Sequence, residues 1–360
     1  MQVRISGGLY ASILFCLASV TQFMTLTSPL IEASGQEAWI SALLGGGYGL
    51  ALTLLVAWIC SRFPGRDPLA AATPWLSVPI RLLYAVLQLL FYSLALRDIT
   101  DFIEVVLLPG TPGILIGGVL CAVSLYAVMN GLEPMARVAF GATCWSVLVL
   151  SLLPVGLTRE FNILQIDPFL WEGPIRVLRG AVVAMPGAGE ALLVLSLLRH
   201  LSPKVNPYKW TLIGLGGGVL VVAYALVLIT LVFGSVLPGR QIYPGFELLA
   251  VVSITEGIER LQAAVITVWI FAAVAKIAGV LYGAVEEGGL ALGLRRRQLF
   301  APAVAGLAAS RLWKGVLQEV TYMGRTGWVL ALITLEVAVV LLLAVAALAA
   351  RVPRGRGQRG

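Results

Sequence analysis

The chain has 360 residues, of which 59% are hydrophobic and 12% charged, with a mean hydropathy of +0.95 and a formal net charge of +7. This composition excludes a water-soluble globular domain. Apolar runs of about 20 residues, each long enough to cross a bilayer, recur along the whole length. The chain therefore reads as an all-α polytopic membrane protein, because a membrane β-barrel would show alternating segments of about ten residues instead. Cys16, Cys60, Cys121 and Cys144 lie in apolar context without CxxC spacing, which predicts buried thiols and neither disulfides nor zinc. The single histidine, His200, excludes a multi-histidine metal centre, and no cofactor or metal is expected.

In chain order, Arg4 precedes an apolar run that is read as a first helix and not as a removed signal peptide. Ten spans are predicted: helix 1 over 9–31, helix 2 over 39–61, helix 3 over 78–96 and on to 107, helix 4 over 113–130 and helix 5 over 138–156. After a loop at 157–173 come helix 6 over about 175–198, helix 7 over 210–236, helix 8 over 258–282, helix 9 over 299–312 and helix 10 over 326–350. Residues 1–350 form one transmembrane domain, and 351–360 a basic cytoplasmic tail. Small residues at Gly45-Gly46-Gly47 allow a neighbouring helix to come close. Of the 25 Lys and Arg residues, fifteen fall in inner loops and nine in outer loops if both ends are cytoplasmic, with Lys276 inside a span. The positive-inside bias thus places both termini in the cytoplasm. It also explains the net charge as topology and not as nucleic-acid binding.

Two spans carry breaking signals. Helix 1 contains Thr25-Leu26-Thr27-Ser28-Pro29. Helix 6 contains AVVAMPGAGE at 181–190, where Pro186 lacks an N–H and Gly187 and Gly189 are poor helix formers. In lipid, freed backbone groups survive only in protein or around a wet cavity, so a broken helix implies a polar site at depth. The plainer alternative is a proline kink stitched up by a neighbouring helix. The interrupted helices are the first and sixth of ten, the places expected of two inverted repeats, about 9–156 and 173–350, with a binding site at the midplane.

Half-helix ends supply N–H groups for a carboxylate and carbonyls for an ammonium or cation. Thr25, Thr27 and Ser28 at the first break and Gly187, Ala188 and Gly189 at the second are the candidate ligand contacts. Back-bonding within their own helix is the other use of the hydroxyls. Glu190 and Lys276 are the ionisable groups expected at depth, where a charge needs a partner. Lys276 is read as an ammonium that takes the place of a coupled cation beside helix 1 and holds its break through carbonyls, with snorkelling to an interface as the alternative. Glu190 is read as a gate or proton site, or as a helix cap. Glu336 in helix 10 is assigned only an interhelical hydrogen bond. Glu256, Glu259 and Arg260 are read as a solvated outer face or a partner dock.

Several ordered segments resemble the B subunit of spore germinant receptors (GerAB/GerKB-type), a branch of the amino acid–polyamine–organocation transporter superfamily. They are ASGQEAW at 33–39, LLPGTP at 107–112, GLEPMAR at 131–137, and the stretch from Tyr243-Pro244 through Glu259-Arg260-Leu261 and Trp269 to Lys276 and Leu281-Tyr282. Together they cover nearly the whole chain. Gly189-Glu190 matches a pair frequent in the family's helix 6, whereas Met185-Pro186-Gly187 departs from the aromatic residue often found there. The resemblance implies a LeuT-like fold of two five-helix repeats with helices 1 and 6 broken. It implies a subunit that senses a nutrient beside an A and a C subunit in the spore inner membrane. A stand-alone amino acid or cation symporter would share the same fold and pocket. No nucleophile motif, catalytic carboxylate pair, metal cluster or phosphate loop points to an enzyme.

Overall fold

The apolar runs fold as helices. The structure, a computed structural model, describes residues 4–24, 26–165, 173–251, 261–293, 300–313 and 327–351. In order these form α1 (Gly7–Met24), α2 (Thr27–Ser34), α3 (Ala38–Cys60), α4 (Pro68–Ala71), α5 (Pro74–Phe102), α6 (Gly113–Asn130) and α7 (Leu132–Leu157). The later elements are α8 (Pro174–Gly189), α9 (Val194–Leu197), α10 (Pro207–Thr211), α11 (Gly217–Phe233), α12 (Pro244–Val251), α13 (Leu261–Leu292), α14 (Phe300–Leu312) and α15 (Trp328–Arg351). A 3-10 stretch, Glu190–Leu193, joins α8 to α9, and a π-turn, Leu212–Gly216, joins α10 to α11. Two starts are written in the sequence as an Asx residue before proline. The Asp67 and Asn206 side chains each accept two backbone N–H bonds at the head of α4 and α10, and Pro68 and Pro207 follow where an N–H would have no helical partner.

Among the described residues, eight helical stretches are long and apolar enough to cross a membrane, and two shorter apolar helices, Gly7–Val20 and Phe300–Leu312, lie where spans 1 and 9 are predicted. Large apolar side chains stand exposed on α6 (Val119, Tyr126), α7 (Val155) and α15 (Leu330, Leu348). A perimeter of this kind suits lipid and not water. The protein is an integral membrane protein.

α13 runs through the middle, packed along α5, α6, α7 and α1, while α3 lies along α8 and α11. Contact is close because glycine permits it. A Cβ on Gly45 would collide with Ala181 and Ala184, and one on Gly46 with Val219. Gly214 and Gly218 meet the backbone of α1 at Ala11 and Phe15 in the same way. In lipid such packing replaces the hydrophobic drive between helices.

Several sequence expectations are corrected. The predicted loop at 32–37 is the end of α2 and a 3-10 turn, reversed at Gly35 with φ of 62°. α13 continues ten residues past the predicted end at 282, so Glu286 and Glu287 belong to a helix and not to an inner loop. Arg81 and Arg97, counted among the inner and the outer loop charges respectively although they fall within predicted helix 3, are buried in α5. Cys144 is exposed, whereas Cys16, Cys60 and Cys121 are buried as expected. The basic tail beyond Arg351, the arginines at 295–297 and the Glu256–Glu259–Arg260 group lie outside the described residues.

Candidate ligand and ion site

The first interruption falls where the sequence put it. α1 ends at Met24, and Leu26 (φ −92°, ψ −8°) precedes the first turn of α2. Pro29 stands in that first turn, where helical N–H groups lack intrahelical acceptors in any case. Thr27 and Ser28 are buried there, and the Ser28 hydroxyl donates to the Gly239 carbonyl at 3.2 Å. Thr25 lies outside the described residues.

The second interruption differs from expectation. Pro186 sits inside α8, and the chain does not unwind. It stays right-handed through Gly189 (φ −67°, ψ −21°) and tightens into the 3-10 stretch Glu190–Leu193. Neighbouring helices can absorb a proline in a membrane helix, and a short mid-helix 3-10 segment is where strain collects and hinges form. Gly187 is half-buried within α8, and Ala188 belongs to the same helix. Gly189 faces the Glu336 carboxyl of α15, which occupies the space a Cβ would take. The candidate contacts therefore divide: Ser28 is engaged with Gly239, and Gly189 with Glu336.

Glu190 and Lys276, far apart in sequence, meet. Lys276 Nζ lies 2.7 Å from Glu190 Oε2, both side chains being at most 5% exposed. Lys276 stands midway along α13 among Ala272, Ala273, Ala275, Ile277 and Ala278, all buried. These small side chains leave room for a lysine stem. The angle between the two groups is poor for a hydrogen bond, and neither Nζ nor Oε2 has a well-aligned partner among the described residues. The expectation that Lys276 holds the helix 1 break through carbonyls gives way to a carboxylate partner, since full charge attracts a buried ammonium more strongly than a carbonyl dipole. Beside this pair, Tyr48 of α3 donates its hydroxyl to Glu336 Oε2 at 2.9 Å.

One and two helical turns along α13 from Lys276, Ala272 and Trp269 line a cavity of about 60 Å³ with Phe15, Ser19 and Val20 of α1, and with α7, α11 and Leu249 of α12. Trp269 Nε1 is buried with no hydrogen-bond partner among the described residues. The Trp269 ring packs on Phe102 (4.5 Å between centroids), which also meets Tyr243 and Phe246 from the segment between α11 and α13. Burial and the Asp101 and Asp98 carboxylates push the Tyr243 hydroxyl above its ordinary range, so it stays a neutral member of this aromatic lid.

A second ionic cluster, which the sequence reading missed, lies at the other end of α13. Arg81 pairs with Asp67 (2.7 Å) and with Glu287. Arg199 pairs with the same two carboxylates. Ser196 donates to Glu287 at 3.4 Å, and His200 lies between Tyr282 (2.9 Å) and Glu286 (3.3 Å). Two backbone hydrogen bonds tie Ile5 to His200 and Ser202 at this end. Two arginines against two carboxylates make a closed, neutral seal between α4, α5, the end of helix 6 and α13. Among the described residues no group of three His, Cys, Asp or Glu side chains could hold a metal ion.

This geometry, an all-helical bundle with an interrupted first helix and buried charges at mid-depth, is that of a transporter-type membrane protein. MhsT, whose crystal structure is in complex with L-phenylalanine, superposes with a TM-score of 0.55 over 94% of this chain and 98% of its own, at 13% identity. The fold is LeuT-like. The sequence model of the family described as spore germination protein (Spore_permease) matches residues 9–308, and the chain belongs to that family. Among its relatives are proteins of Bacillus subtilis (strain 168). YfkT is 28% identical over 283 residues, 76% of each chain. Spore germination protein KB is 26% identical over 261 residues, 70% of each chain.

Proposed function

We propose that this protein is the nutrient-sensing membrane subunit of a spore germinant receptor, a ligand-binding protein and not an enzyme. It takes a small nutrient, an amino acid in the first instance, beside the helix 1 break. Thr27 and Ser28 open α2, where N–H groups suit a carboxylate, and Thr25, just before them in the sequence, is the third contact in this reading. In this reading Gly187, Ala188 and Gly189 supply the second set of contacts, and the cavity under Trp269 takes the ligand's apolar part. Membership of the spore germination family supports the setting, and the likeness to a structure solved with L-phenylalanine supports the ligand class. The observation that carries the reading is the Lys276–Glu190 pair. A fixed ammonium closed on a fixed carboxylate at mid-depth suits a receptor that changes state on binding better than a symporter that must admit and release a cation. Glu190 and Lys276 are then the gate. The sensed state passes to A and C subunits at the spore inner membrane, with both termini of this chain in the cytoplasm.

The test is a thermal-shift screen of the purified full chain against amino acids, sugars and nucleosides. A ligand that binds only the folded state raises the melting temperature by mass action. A shift with one neutral amino acid, with no uptake of it into sealed vesicles, is the expected result. Uptake would instead support the symporter. No shift with any nutrient, alone or with partner subunits, would refute the sensor.

A further inference from the structure

Glu336 is a buried carboxyl to which neither the ion pair nor the nutrient reading assigns work. It is fully buried in α15. Its Oε2 accepts one hydrogen bond, from Tyr48, and its Oε1 has no hydrogen-bond partner among the described residues. That free oxygen lies against Gly189, the residue before Glu190, and only a glycine leaves room for it there.

The charges around it do not neutralise it. α15 packs against α3, α4, α5 and α8. α3 brings Tyr48, a neutral donor, and α4 (Pro68–Ala71) carries no titratable side chain. On α5, Arg81 is engaged by Asp67 and Glu287, Arg97 by Asp101, and the Tyr84 and Tyr92 hydroxyls by Ser196 and Ser124. α8 leads into Glu190, of the same sign, whose charge is met by Lys276 of α13. Among the described residues, no cationic side chain lies within ion-pair distance of Glu336. An unpaired carboxylate at this depth is strongly disfavoured, and a second carboxylate on the residue after Gly189 adds to that.

We propose that Glu336, with Tyr48 and the Gly189–Glu190 turn around it, is a proton-binding site. Oε2 accepts from Tyr48, and the bound proton resides on Oε1, facing the turn. Transfer of that proton to Glu190 breaks the O–H bond on Glu336 and forms one on Glu190. The negative charge moves from Glu190 to Glu336, where the Tyr48 hydroxyl already donates to it, and the total charge is unchanged. Lys276 then faces a neutral carboxyl, so the place of the proton sets the strength of the Lys276–Glu190 pair. The inference does not depend on which nutrient binds.

Infrared spectroscopy of the purified full chain in nanodiscs tests it. The wild type should show a protonated-carboxyl C=O band at neutral pH that E336Q lacks, with E336Q folding normally because a neutral amide keeps the shape and accepts from Tyr48. Y48F removes the one donor to Oε2, so the same band should persist at a shifted frequency. Y48F provides the readout if E336Q does not fold. A wild type without the band at neutral pH, a band that survives in E336Q, or one that Y48F leaves unmoved would overturn the assignment.

Discussion

Lys276 Nζ and Glu190 Oε2 stand 2.7 Å apart in the interior of the bundle, one from the middle of α13 and the other from the first turn after α8. Their attraction ties the segment after α8 to α13, and either partner alone would be a bare charge. Removing one partner of such a pair costs about 3–5 kcal/mol, while replacing both by well-packed neutral groups is far less damaging. K276M is thus expected to lower the melting temperature sharply, and K276M/E190Q to recover most of the loss. A double-mutant cycle on the detergent-solubilised protein measures this coupling. Additive losses in the two single variants would contradict it.

Gly189 and Glu336 make a similar two-sided prediction by packing. A Cβ at 189 would overlap the Glu336 carboxyl, so one of the two must yield. G189A should destabilise by about 1–3 kcal/mol, the usual penalty for overpacking. Shortening the opposing side chain in G189A/E336A should relieve it. Denaturation of the single and double variants, read by circular dichroism, decides between relief and simple addition.

How much of this was legible depended on the distance over which the signal acts. The spans could be read because apolar length is a local property, and the first break because Thr27-Ser28-Pro29 supplies helix-start chemistry within three residues. The second break was over-read. Pro186 and its glycines announce weak helix, but packing against α3 and α15 holds the segment helical and converts the weakness into a 3-10 turn. Glu190 and Lys276 were singled out by depth, yet their pairing is tertiary. The seal formed by Asp67, Arg81, Arg199 and Glu287 was missed because each looks like a loop charge beside a helix end. The one available hint was that the apolar pattern continues beyond Tyr282 through Gly288–Leu292, which keeps Glu287 inside α13.

That seal predicts a conformational effect. Glu287 contacts both Arg81 and Arg199 and is fully buried. E287Q leaves two guanidinium groups to share Asp67. Cys60, buried at the end of α3, borders the same cluster and serves as a reporter. In a C144S background, maleimide labelling of Cys60 should be several-fold faster in E287Q than with Glu287 intact, because opening the seal admits water and reagent. Equal labelling rates would mean that the cluster is a static support.

The last prediction concerns the cavity under Trp269. The indole N–H is buried without a partner among the described residues, and its ring forms one wall of a cavity of about 60 Å³. An unsatisfied buried donor lowers stability by about 1–3 kcal/mol relative to a paired one, so W269F, which deletes the donor and keeps most of the aromatic packing on Phe102, should melt close to the wild type. A272V adds two methyl groups on the same α13 wall, one turn from Trp269, and should also be tolerated, since the cavity has room for them. If the nutrient's apolar part enters here, both variants lose much of the ligand-induced rise in melting temperature while the unliganded protein is little changed. W269F loses ring surface on which that apolar part packs, and A272V loses room. A rise that survives in both variants would move the ligand away from α13 and back to the start of α2, at Thr27 and Ser28.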